Sequence, residues 1–340
     1  MSQIAIIGAG AWGTALSIVL GRSRAHEVRL WAYEKDICTS IEQRRLNDKF
    51  LPGQLIPENV APYNDLAEAL ADARIVVSVM PSQHCRVLFE QIVPHLHDEA
   101  IIVSATKGLE EHSLLRMTEV IAQTFGACNR SAPRIGALSG PSFAIEAARG
   151  DPTAIAIGSK DFELAKLAQR EFSDVSFRVY TNDDPIGVEL GGALKNTIAI
   201  AAGVCAGLGL GHNSIAGLIT RGLAEMTRLI VACGGKAETM AGLAGLGDLV
   251  LTCTGGLSRN RTVGVELGRG RRLTEILAGM HGMVAEGVFT TTAAMELARK
   301  HGIEMPITEQ MYAILHTGKP PRDAIYELMT RSGKSEALMK

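Results

Sequence analysis

The feature that most constrains the fold is a glycine-rich turn between a predicted strand and a predicted helix near the start of the chain. The strand is the apolar run Ile4–Ile7, and the helical pattern begins at Thr14. Between them lie Gly8, Gly10 and Gly13, in the spacing G-x-G-x-x-G. In such a turn the first glycine permits the tight bend, the second lets backbone approach a pyrophosphate, and the third lets helix and strand pack closely. The spacing therefore predicts a dinucleotide-binding turn, with the phosphates held at the start of the helix.

The rest of the first half alternates short apolar runs with helical patterns, which indicates a parallel sheet covered by helices on both faces. Further strands are predicted at Glu27–Tyr33, Ile75–Met80, Ala100–Ala105, Arg134–Leu138, Ala154–Ile157 and Phe177–Tyr180. From about Asp184 onward only helices are predicted, at Gly187–Gly207, Ile215–Cys233, Arg272–Ala278, Thr291–His301 and Thr308–Thr317. The predicted fold is an α/β Rossmann-like dinucleotide-binding domain, residues 1–186, followed by an all-α C-terminal domain, residues 187–340.

Composition narrows the class of protein. Hydrophobic residues make up 46% and charged residues 21%, a balance typical of globular proteins. A net charge of −2 provides no general attraction for nucleic acid or an anionic membrane, and the longest apolar run, Thr197–Gly211, is shorter than the roughly 20 residues that span a bilayer. The six cysteines form no C-x-x-C pair or zinc spacing, and the first residues show no secretory leader. We therefore expect a cytoplasmic protein with reduced thiols, no metal, no nucleic-acid partner and no stable membrane insertion.

The residues after the second predicted strand normally distinguish NAD from NADP. Glu34 is suited to a hydrogen bond with a ribose 2′-hydroxyl, whereas Lys35 is suited to a 2′-phosphate. The two residues favour different coenzymes, so the prediction is NAD(H) or NADP(H).

Two lysines lie beside glycine or other small residues. Lys107 follows a strand in the sequence SATKG, and Lys195 lies on a helix in GGALKN. Gly191 and Gly192 precede Lys195 and Asn196 by one turn, so this helix face has little bulk, at a cost of about 1 kcal/mol per glycine. Either a ligand approaches this face, or the glycines serve a close helix crossing and the lysine lies on the surface.

A later segment combines a carboxylate with phosphate-type donors. Asp248 lies within an otherwise apolar stretch, Ala241–Leu251, where an ionised group needs a partner such as a lysine. Ser258, Arg259 and Asn260 offer consecutive donors suited to a phosphate. The alternative is a solvated basic loop.

These groups are suited to the reduction of a ketone, which leaves an alkoxide that must be protonated. None of the nine histidines lies in a comparable motif, so Lys107 and Lys195 are the candidate proton donors. If both ammonium groups reach one pocket, their repulsion favours proton release by one of them near neutral pH. The turn Leu138–Ala144 adds backbone N–H groups that can bind an anion or the cofactor. The convergence of the two lysines is a hypothesis.

Seven motifs together resemble the bacterial-type NAD(P)-dependent glycerol-3-phosphate dehydrogenases. They are GAGAWGTAL, SATKGLE, SGPSFA, GVELGGALKNTIAIAAG, LITRGLAEM, GLAGLGDLVLTCTGGLSRNR and EGVFTT. The resemblance covers about residues 4–329, and the lysine–asparagine helix and the GLGDL…SRNR segment are much more specific than the glycine spacing.

The resemblance implies a role for individual residues. Lys195 is the implied proton donor and acceptor, Lys107 an implied contact of substrate and cofactor, and Asp248 an implied substrate-site carboxylate. The other implied substrate contacts are Gly140, Ser142, Ser258, Arg259 and Asn260, and the implied cofactor contacts, besides Gly8, Gly10 and Gly13, are Ala11, Trp12, Tyr33, Ala144, Arg259, Val284 and Glu286. Tyr33 and Glu34 depart from relatives with Arg or His there, which puts a preference for NADP in doubt.

The implied reaction is the reduction of dihydroxyacetone phosphate to sn-glycerol 3-phosphate, a precursor of phospholipids, by a cytoplasmic homodimer. One alternative is a related dehydrogenase of a β-hydroxyacid or a ketopantoate-like acid, although a carboxylate needs fewer donors than Ser258–Arg261 offer. Another is a nucleotide-sensing regulatory protein, which would need neither Lys107 nor Lys195. The position of Cys253 beside the phosphate-type segment also predicts that its oxidation inhibits the enzyme.

Overall fold

The computed structural model describes residues 2–280, 285–333 and 335–336. The chain forms two compact units. Unit 1 comprises Met1–Glu110 and Leu115–Glu189, and unit 2 comprises Glu111–Leu114 and Leu190–Lys340.

Unit 1 is built from strands and short helices. Its strands are β1 (Ser2–Ile7), β2 (His26–Trp31), β3 (Leu46–Asn47), β4 (Leu51–Leu55), β5 (Val60–Tyr63), β6 (Ile75–Ser78), β7 (Ile101–Ser104), β8 (Arg134–Ser139), β9 (Thr153–Gly158) and β10 (Phe177–Asn182). Its α-helices are α1 (Ala11–Gly21), α2 (Lys35–Arg44), α3 (Leu66–Leu70), α4 (Cys85–Ile92), α5 (Met117–Ala127), α6 (Ala144–Arg149) and α7 (Phe162–Phe172), with short 3-10 helices at Ser82–His84 and Val93–His95.

Eight of these strands form one sheet in the order β10-β9-β8-β7-β6-β1-β2-β5. The six strands from β5 to β8 are parallel, with the order of a doubly wound Rossmann fold. The chain reverses its direction across the sheet between β1 and β6, and the glycine-rich turn follows β1 at that point. Ligands of such sheets bind at this switch point, so the turn lies where a dinucleotide is expected.

The predicted parallel sheet is confirmed for these six strands but is wrong for the last two. β9 is antiparallel to β8, and β10 is parallel to β9. The six-residue α6 is about 9 Å long, whereas a return along the six-residue β8 requires about 20 Å. The whole connection, residues 140–152, is close to the shortest that joins parallel strands, and β9 returns in the opposite direction, which needs no crossover.

The central strand β1 is buried on both faces. Ile4 and Ile6 lie in one hydrophobic core, and Ala5 and Ile7 lie in a second core on the opposite face. A strand covered on both sides has a continuous apolar sequence rather than an alternating one. This explains why β1 was predictable from its sequence.

Three strands of unit 1 were missed by the sequence prediction. β5 lies at the edge of the sheet and contains Pro62, which a central strand does not tolerate. β3 and β4 form a separate antiparallel pair of two and five residues, and β4 contains Pro52 and Gly53. Short strands with proline or glycine resemble loops in sequence.

Among the described residues, every secondary-structure element that lies wholly within unit 2 is a helix, as predicted. The long helix α8 (Pro185–Gly207) begins in unit 1 and continues into unit 2. The others are α9 (His212–Ala232), α10 (Ala237–Met240), a π-helix (Leu243–Gly247), α11 (Asp248–Thr254), α12 (Arg259–Gly268), α13 (Leu273–Ala278), α14 (Glu286–His301), α15 (Pro306–Thr317) and α16 (Pro321–Thr330).

Glycines allow α8 and α12 to pack with their backbones in contact. Gly203 and Gly207 of α8 face Gly264 and Gly268 of α12, and a Cβ added at Gly264 would lie 2.0 Å from the carbonyl oxygen of Ile200. Any larger side chain at these positions would separate the two helices. The crossing fixes the position of α12 against α8.

Helix α8 is the one described helix that is long and apolar enough to cross a membrane. Its most apolar 18-residue window has a mean hydropathy of 1.3, and 89% of that window is buried. Burial of this extent is typical of a core helix in a globular protein, which also explains its apolar composition.

A buried carboxylate of unit 2 holds the start of α15. Glu225 of α9 accepts hydrogen bonds from the backbone N–H groups of Ile307, at 2.6 Å, and Thr308, at 3.2 Å. Burial raises the pKa of Glu225 to about 7, although these N–H groups and Arg228 favour its charged form. The folded protein therefore binds a proton here at a higher pH than the unfolded chain does.

This arrangement predicts a specific dependence of stability on pH. Between the ordinary carboxyl pKa of about 4.3 and a pKa of about 7, rising pH should lower the contribution of Glu225 to stability by about 4 kcal/mol. Glu225→Gln retains an acceptor oxygen but does not ionise. Urea unfolding at pH 5 and pH 8 should show that the wild type loses stability relative to this variant as the pH rises. A difference that is the same at both pH values would contradict this assignment.

Candidate active site

The three glycines of the turn after β1 meet different requirements. Gly8 has a φ of +120°, and a Cβ there would lie 2.1 Å from the carbonyl oxygen of Val79. A Cβ at Gly13 would lie 1.8 Å from the carbonyl oxygen of Gly8. Around Gly10, by contrast, the described residues place no further heavy atom within 4 Å of a built Cβ. The fold explains Gly8 and Gly13, whereas Gly10 leaves open space at the start of α1.

This open space suits a dinucleotide phosphate. Gly10 is the N-terminal cap of α1 and supplies no side chain, and the first N–H groups of the helix, at Ala11, Trp12 and Gly13, have no intrahelical acceptor. Such groups and the helix dipole favour a bound anion. The indole Nε1 of Trp12 is also buried without an acceptor among the described residues, while its ring packs on Phe177 at a centroid distance of 6.4 Å. The residues present fit a nicotinamide dinucleotide.

The residues after β2 do not choose between the two coenzymes. Tyr33 is 80% exposed. Glu34 forms an ion pair with Lys49 at 3.4 Å, and Lys35 is the first residue of α2. A carboxylate and two ammonium groups thus lie in this region, so both interpretations of the sequence stay open.

A second group of candidate residues in unit 1 meets around the carbonyl of Gly140. The Nζ of Lys107 donates to this oxygen at 3.3 Å, and the hydroxyl of Ser142 donates at 2.9 Å. Gly140 has a φ of +149°, and a Cβ there would lie 2.8 Å from the Cα of Ile155, so no other residue fits. Ala144 begins α6 directly after this turn. Four of the residues implied by the resemblance therefore lie together after β7 and β8.

In unit 2, Lys195 and Asp248 form a buried ion pair. The Lys195 Nζ contacts Asp248 Oδ1, and the two residues are 5% and 1% exposed. Asp248 is the first residue of α11, where the helix dipole favours a negative charge. The Thr252 hydroxyl donates to the backbone oxygen of Asp248 at 2.6 Å and lies 3.4 Å from Oδ1. The expected partner of the buried carboxylate is thus a lysine, and Thr252 is a neighbour that the sequence did not reveal.

Gly191 makes this ion pair possible. A Cβ at Gly191 would lie 2.6 Å from the carbonyl oxygen of Ala244, in the π-helix that leads into Asp248. The low bulk of this helix face therefore admits the segment that carries the carboxylate. Lys195 is buried, so the alternative of a surface lysine is wrong.

The phosphate-type segment is the start of a helix, so the alternative of a solvated basic loop is also wrong. Ser258 is the N-terminal cap of α12, and its hydroxyl accepts from the N–H of Arg261 at 3.2 Å. Arg259 and Asn260 begin the helix, and their N–H groups have no intrahelical acceptor. Partial loss of hydration lowers the pKa of Arg259, and the negative charge of Glu286 offsets part of this decrease. The Arg259 side chain nevertheless stays exposed to solvent and can bind an anion.

Asn260 links α12 to two other helices. Its Oδ1 accepts from the N–H of Gly287 in α14 at 3.0 Å, and its Nδ2 donates to the side-chain oxygen of Asn196 in α8 at 3.0 Å. A Cβ at Gly287 would lie 2.8 Å from the backbone oxygen of Asn196. This network brings Asn260 next to the helix of Lys195 and to Glu286, the first residue of α14. Val284 lies outside the described residues.

Asn196 belongs to one of the seven motifs, but the sequence analysis did not predict it to be a site residue. The available signal was its position next to Lys195, one turn after Gly192. Its hydrogen bond to Asn260 crosses 64 residues of sequence. No local pattern reveals such a contact.

Cys253 is not suited to a redox role. The residue is 1% exposed, and burial raises the pKa of its thiol to about 12. Oxidation requires the thiolate and access from solvent. Both conditions are unmet for Cys253.

Family models match both halves of the chain. The N-terminal model of NAD-dependent glycerol-3-phosphate dehydrogenase covers residues 3–165, and the C-terminal model of the same family covers residues 184–326. The chain belongs to the NAD-dependent glycerol-3-phosphate dehydrogenase family, which confirms the resemblance found in its motifs.

Individual relatives agree over nearly full length. A glycerol-3-phosphate dehydrogenase (NAD(P)+) from Koribacter versatilis is 66% identical, with 99% of each chain covered. One from Acidobacterium capsulatum is 54% identical, over 99% of this chain and all of that protein. The crystal structure of glycerol-3-phosphate dehydrogenase from Coxiella burnetii has a TM-score of 0.91 at 43% identity, covering 97% of this chain and 99% of that one.

A ketopantoate reductase from Ralstonia eutropha shares the fold only. Its TM-score is 0.60 at 17% identity, with 95% of this chain and 99% of that chain covered. This likeness accounts for the alternative substrate class raised by the sequence, because both groups have similar architecture.

The different environments of Gly10 and Gly13 predict separable effects. Gly10→Ala should leave the free energy of unfolding unchanged within about 1 kcal/mol, because its φ of −67° suits alanine and the space is open. The same change should weaken binding of NADH and NADPH about tenfold or more, since the methyl occupies the phosphate position. Thermal unfolding and fluorescence titration measure the two quantities.

Gly13→Ala is the matched control. Its Cβ would overlap the Gly8 carbonyl, so this variant should be destabilised in the absence of any coenzyme. Wild-type coenzyme affinity in Gly10→Ala would show that Gly10 does not face the phosphates.

Proposed function

We propose that this protein reduces dihydroxyacetone phosphate to sn-glycerol 3-phosphate with NADH or NADPH, in a reversible reaction. The observation that carries the proposal is the buried Lys195–Asp248 ion pair on a helix that also contacts, through Asn196, the phosphate-type start of α12. A proton donor and an anion site on adjacent helices are what a phosphorylated ketone requires. Membership of the family supports the same reaction.

The coenzyme would bind the glycine-rich turn through the N–H groups at the start of α1. When bound, it supplies the hydride that adds to the carbonyl carbon. Gly8, Gly10, Ala11, Trp12 and Gly13 would hold the pyrophosphate side of the coenzyme. On the resemblance, the remaining cofactor contacts are Tyr33, Lys107, Ala144, Arg259, Val284 and Glu286.

Lys195 would then deliver the proton that completes the reduction. As the hydride reaches the carbonyl carbon, negative charge develops on the carbonyl oxygen, and an ammonium group beside it can donate a proton. Asp248 keeps this ammonium in place and balances its charge in a buried position. In the reverse direction the same lysine accepts the proton.

The substrate phosphate would bind at the start of α12. The exposed guanidinium of Arg259 can form a bidentate contact with it, and the free N–H groups of the first helical turn add further donors. Ser258 and Asn260 already use part of their hydrogen-bonding capacity for the cap and for α14. On the resemblance, the remaining substrate contacts are Lys107, Gly140 and Ser142.

The proposed cellular role is the supply of glycerol phosphate for phospholipid synthesis in the cytoplasm. Residues 1–186 would form the NAD(P)-binding domain and residues 187–340 the helical substrate and catalytic domain, with some contacts of each ligand supplied by the other domain.

We also propose a homodimer. The first turns of α9 support it, because Ile215, Leu218 and Ile219 lie only half-buried among exposed neighbours. Sedimentation velocity should give twice the 36.2 kDa chain mass, and a monomer at micromolar concentration would contradict the dimer.

The activity itself is tested by following the absorbance of reduced nicotinamide with dihydroxyacetone phosphate and NADH or NADPH. The wild type should consume coenzyme only when the substrate is present. Lys195→Ala should lower kcat by about 100- to 10,000-fold, because the proton donor is lost. Lys300→Ala, at an exposed position in the last turn of α14, is the matched lysine control and should leave the rate unchanged.

A double variant and two alternative substrates complete the activity test. The double variant Lys195→Met with Asp248→Asn removes both charges, so that loss of activity cannot be attributed to an unpaired buried carboxylate. Dihydroxyacetone without phosphate and ketopantoate should both be poor substrates of the wild type. No turnover of dihydroxyacetone phosphate with either coenzyme, together with turnover of ketopantoate, would replace the proposal by the carboxylic-acid alternative.

A further inference from the structure

Asn47 is a fully buried residue of the β3–β4 hairpin that contacts the glycine-rich turn from a distant part of the sequence. Its Nδ2 donates to the backbone carbonyl of Ala9 at 2.8 Å and to the hydroxyl of Thr14 at 2.8 Å. Its Oδ1 accepts from the N–H of Phe50 at 3.3 Å. The side-chain amide is therefore occupied by the turn on one side and by its own hairpin on the other.

These bonds determine the orientation of one peptide group in the turn. The carbonyl of Ala9 accepts a second hydrogen bond, from the Thr14 hydroxyl at 3.2 Å. The Ala9–Gly10 peptide is trans, so the N–H of Gly10 is directed opposite to the Ala9 carbonyl and away from Asn47. Among the described residues, this N–H makes no hydrogen bond.

We propose that Asn47 is a positioning residue for the coenzyme: it holds the Ala9–Gly10 peptide so that the Gly10 N–H faces the pyrophosphate. This inference rests on the proposed function, because it requires a dinucleotide at the turn. The open space around Gly10 supports this proposal. The residue that offers the N–H donor also leaves room beside it for a phosphate oxygen as the acceptor.

Hydrogen bonds of the residues that precede Asn47 fix its backbone. The Ser40 hydroxyl, in α2, donates to the backbone oxygen of Leu46 at 2.7 Å. Arg45 adopts a left-handed conformation, with a φ of 55°, and its Nε donates to the carbonyl of Ile56 at 3.1 Å. A side chain on such a fixed backbone can orient a peptide group without further rearrangement.

A purely structural role would give different results in solution. NADH and NADPH share the pyrophosphate and differ only at the ribose, so loss of a pyrophosphate donor should weaken both by the same factor. The affinity for dihydroxyacetone phosphate should stay the same, because the Asn47 side chain bonds the coenzyme turn and its own hairpin but none of the proposed substrate contacts. A structural role would lower stability without changing coenzyme affinity.

The experiment compares two asparagines whose side-chain Nδ2 each donates two hydrogen bonds. Asn47→Ala should raise the Kd of NADH and of NADPH about tenfold, with their ratio unchanged and kcat at saturating coenzyme unchanged. Asn59→Ala is the control, because Asn59 Nδ2 donates to the carbonyls of Ser23 and His26, both at 3.0 Å. His26 begins β2, so these bonds lie at the opposite edge of the sheet from the turn. Asn59→Ala should lower the melting temperature but leave both Kd values unchanged.

The outcomes separate this inference from the function on which it rests. If the wild type binds neither coenzyme in a fluorescence titration, the proposed function and this inference both fail. If the wild type binds but Asn47→Ala only loses stability, as Asn59→Ala does, then Asn47 is merely structural and the inference alone is overturned.

A second variant covers the case in which Asn47→Ala does not fold. Thr14→Val preserves the shape of the side chain but removes the hydroxyl that bonds both Asn47 and Ala9. It should raise both Kd values by a common factor. Unchanged affinity for both coenzymes in this variant would likewise overturn the inference.

Discussion

The buried ion pair between Lys195 and Asp248 is the interaction around which the candidate site of unit 2 is arranged. Two charges in a protein interior lose several kcal/mol of hydration each, and only close pairing with further polar contacts offsets this loss. The structure supplies both conditions. Asp248 begins α11, where the helix dipole favours its charge, and Thr252 lies beside it. Gly191 admits the backbone that brings the carboxylate to the lysine. A charge pair retained at such a cost is typical of a functional site.

Glycines set the positions of the other groups relative to this pair. The contact between α8 and α12 requires Gly203 and Gly264, and the start of α14 approaches α8 only because residue 287 is glycine. Asn260 then joins all three helices by hydrogen bonds. The high glycine content of the chain therefore has a structural cause in unit 2. Backbones packed at this distance hold a lysine and a phosphate-type helix start on adjacent elements with little freedom.

In unit 1, two glycines of the turn are required by the fold, and the third leaves space for a ligand. Gly8 and Gly13 are required by nearby backbone oxygens, whereas the space at Gly10 is not filled by the described protein. Asn47 orients the peptide that precedes this space. The turn is therefore shaped before a dinucleotide arrives, which reduces the ordering required on binding.

Much of this was predictable from local sequence, and the rest depends on contacts between distant residues. The strands β1, β6 and β7 were predicted because a sheet buried on both faces has continuous apolar runs. The direction of β9 was not, because it depends on the path of the whole connection between β8 and β9 rather than on the pattern of β9 itself. Helix α12 was missed because its first turn, Arg259–Arg261, is basic and polar and resembles a loop.

The candidate site shows the same division. A lysine partner for Asp248 was predictable from chemistry alone, because a carboxylate in an apolar segment requires one. The roles of Asn196 and Asn47 were not, since their hydrogen bonds cross 64 and 38 residues of sequence. Such contacts depend on the folded arrangement and have no periodic pattern in the sequence.

In the proposed reaction, Lys195, held by Asp248, gives its proton to the substrate. The most direct test is chemical rescue of Lys195→Ala with ethylammonium, which can occupy the space left by the side chain beside Asp248. The reduction rate should rise with ethylammonium concentration and saturate, and it should not rise when Asp248→Asn is added. A folded Lys195→Ala protein that binds coenzyme but shows no rescue, or one that keeps the wild-type rate, would contradict this role of Lys195.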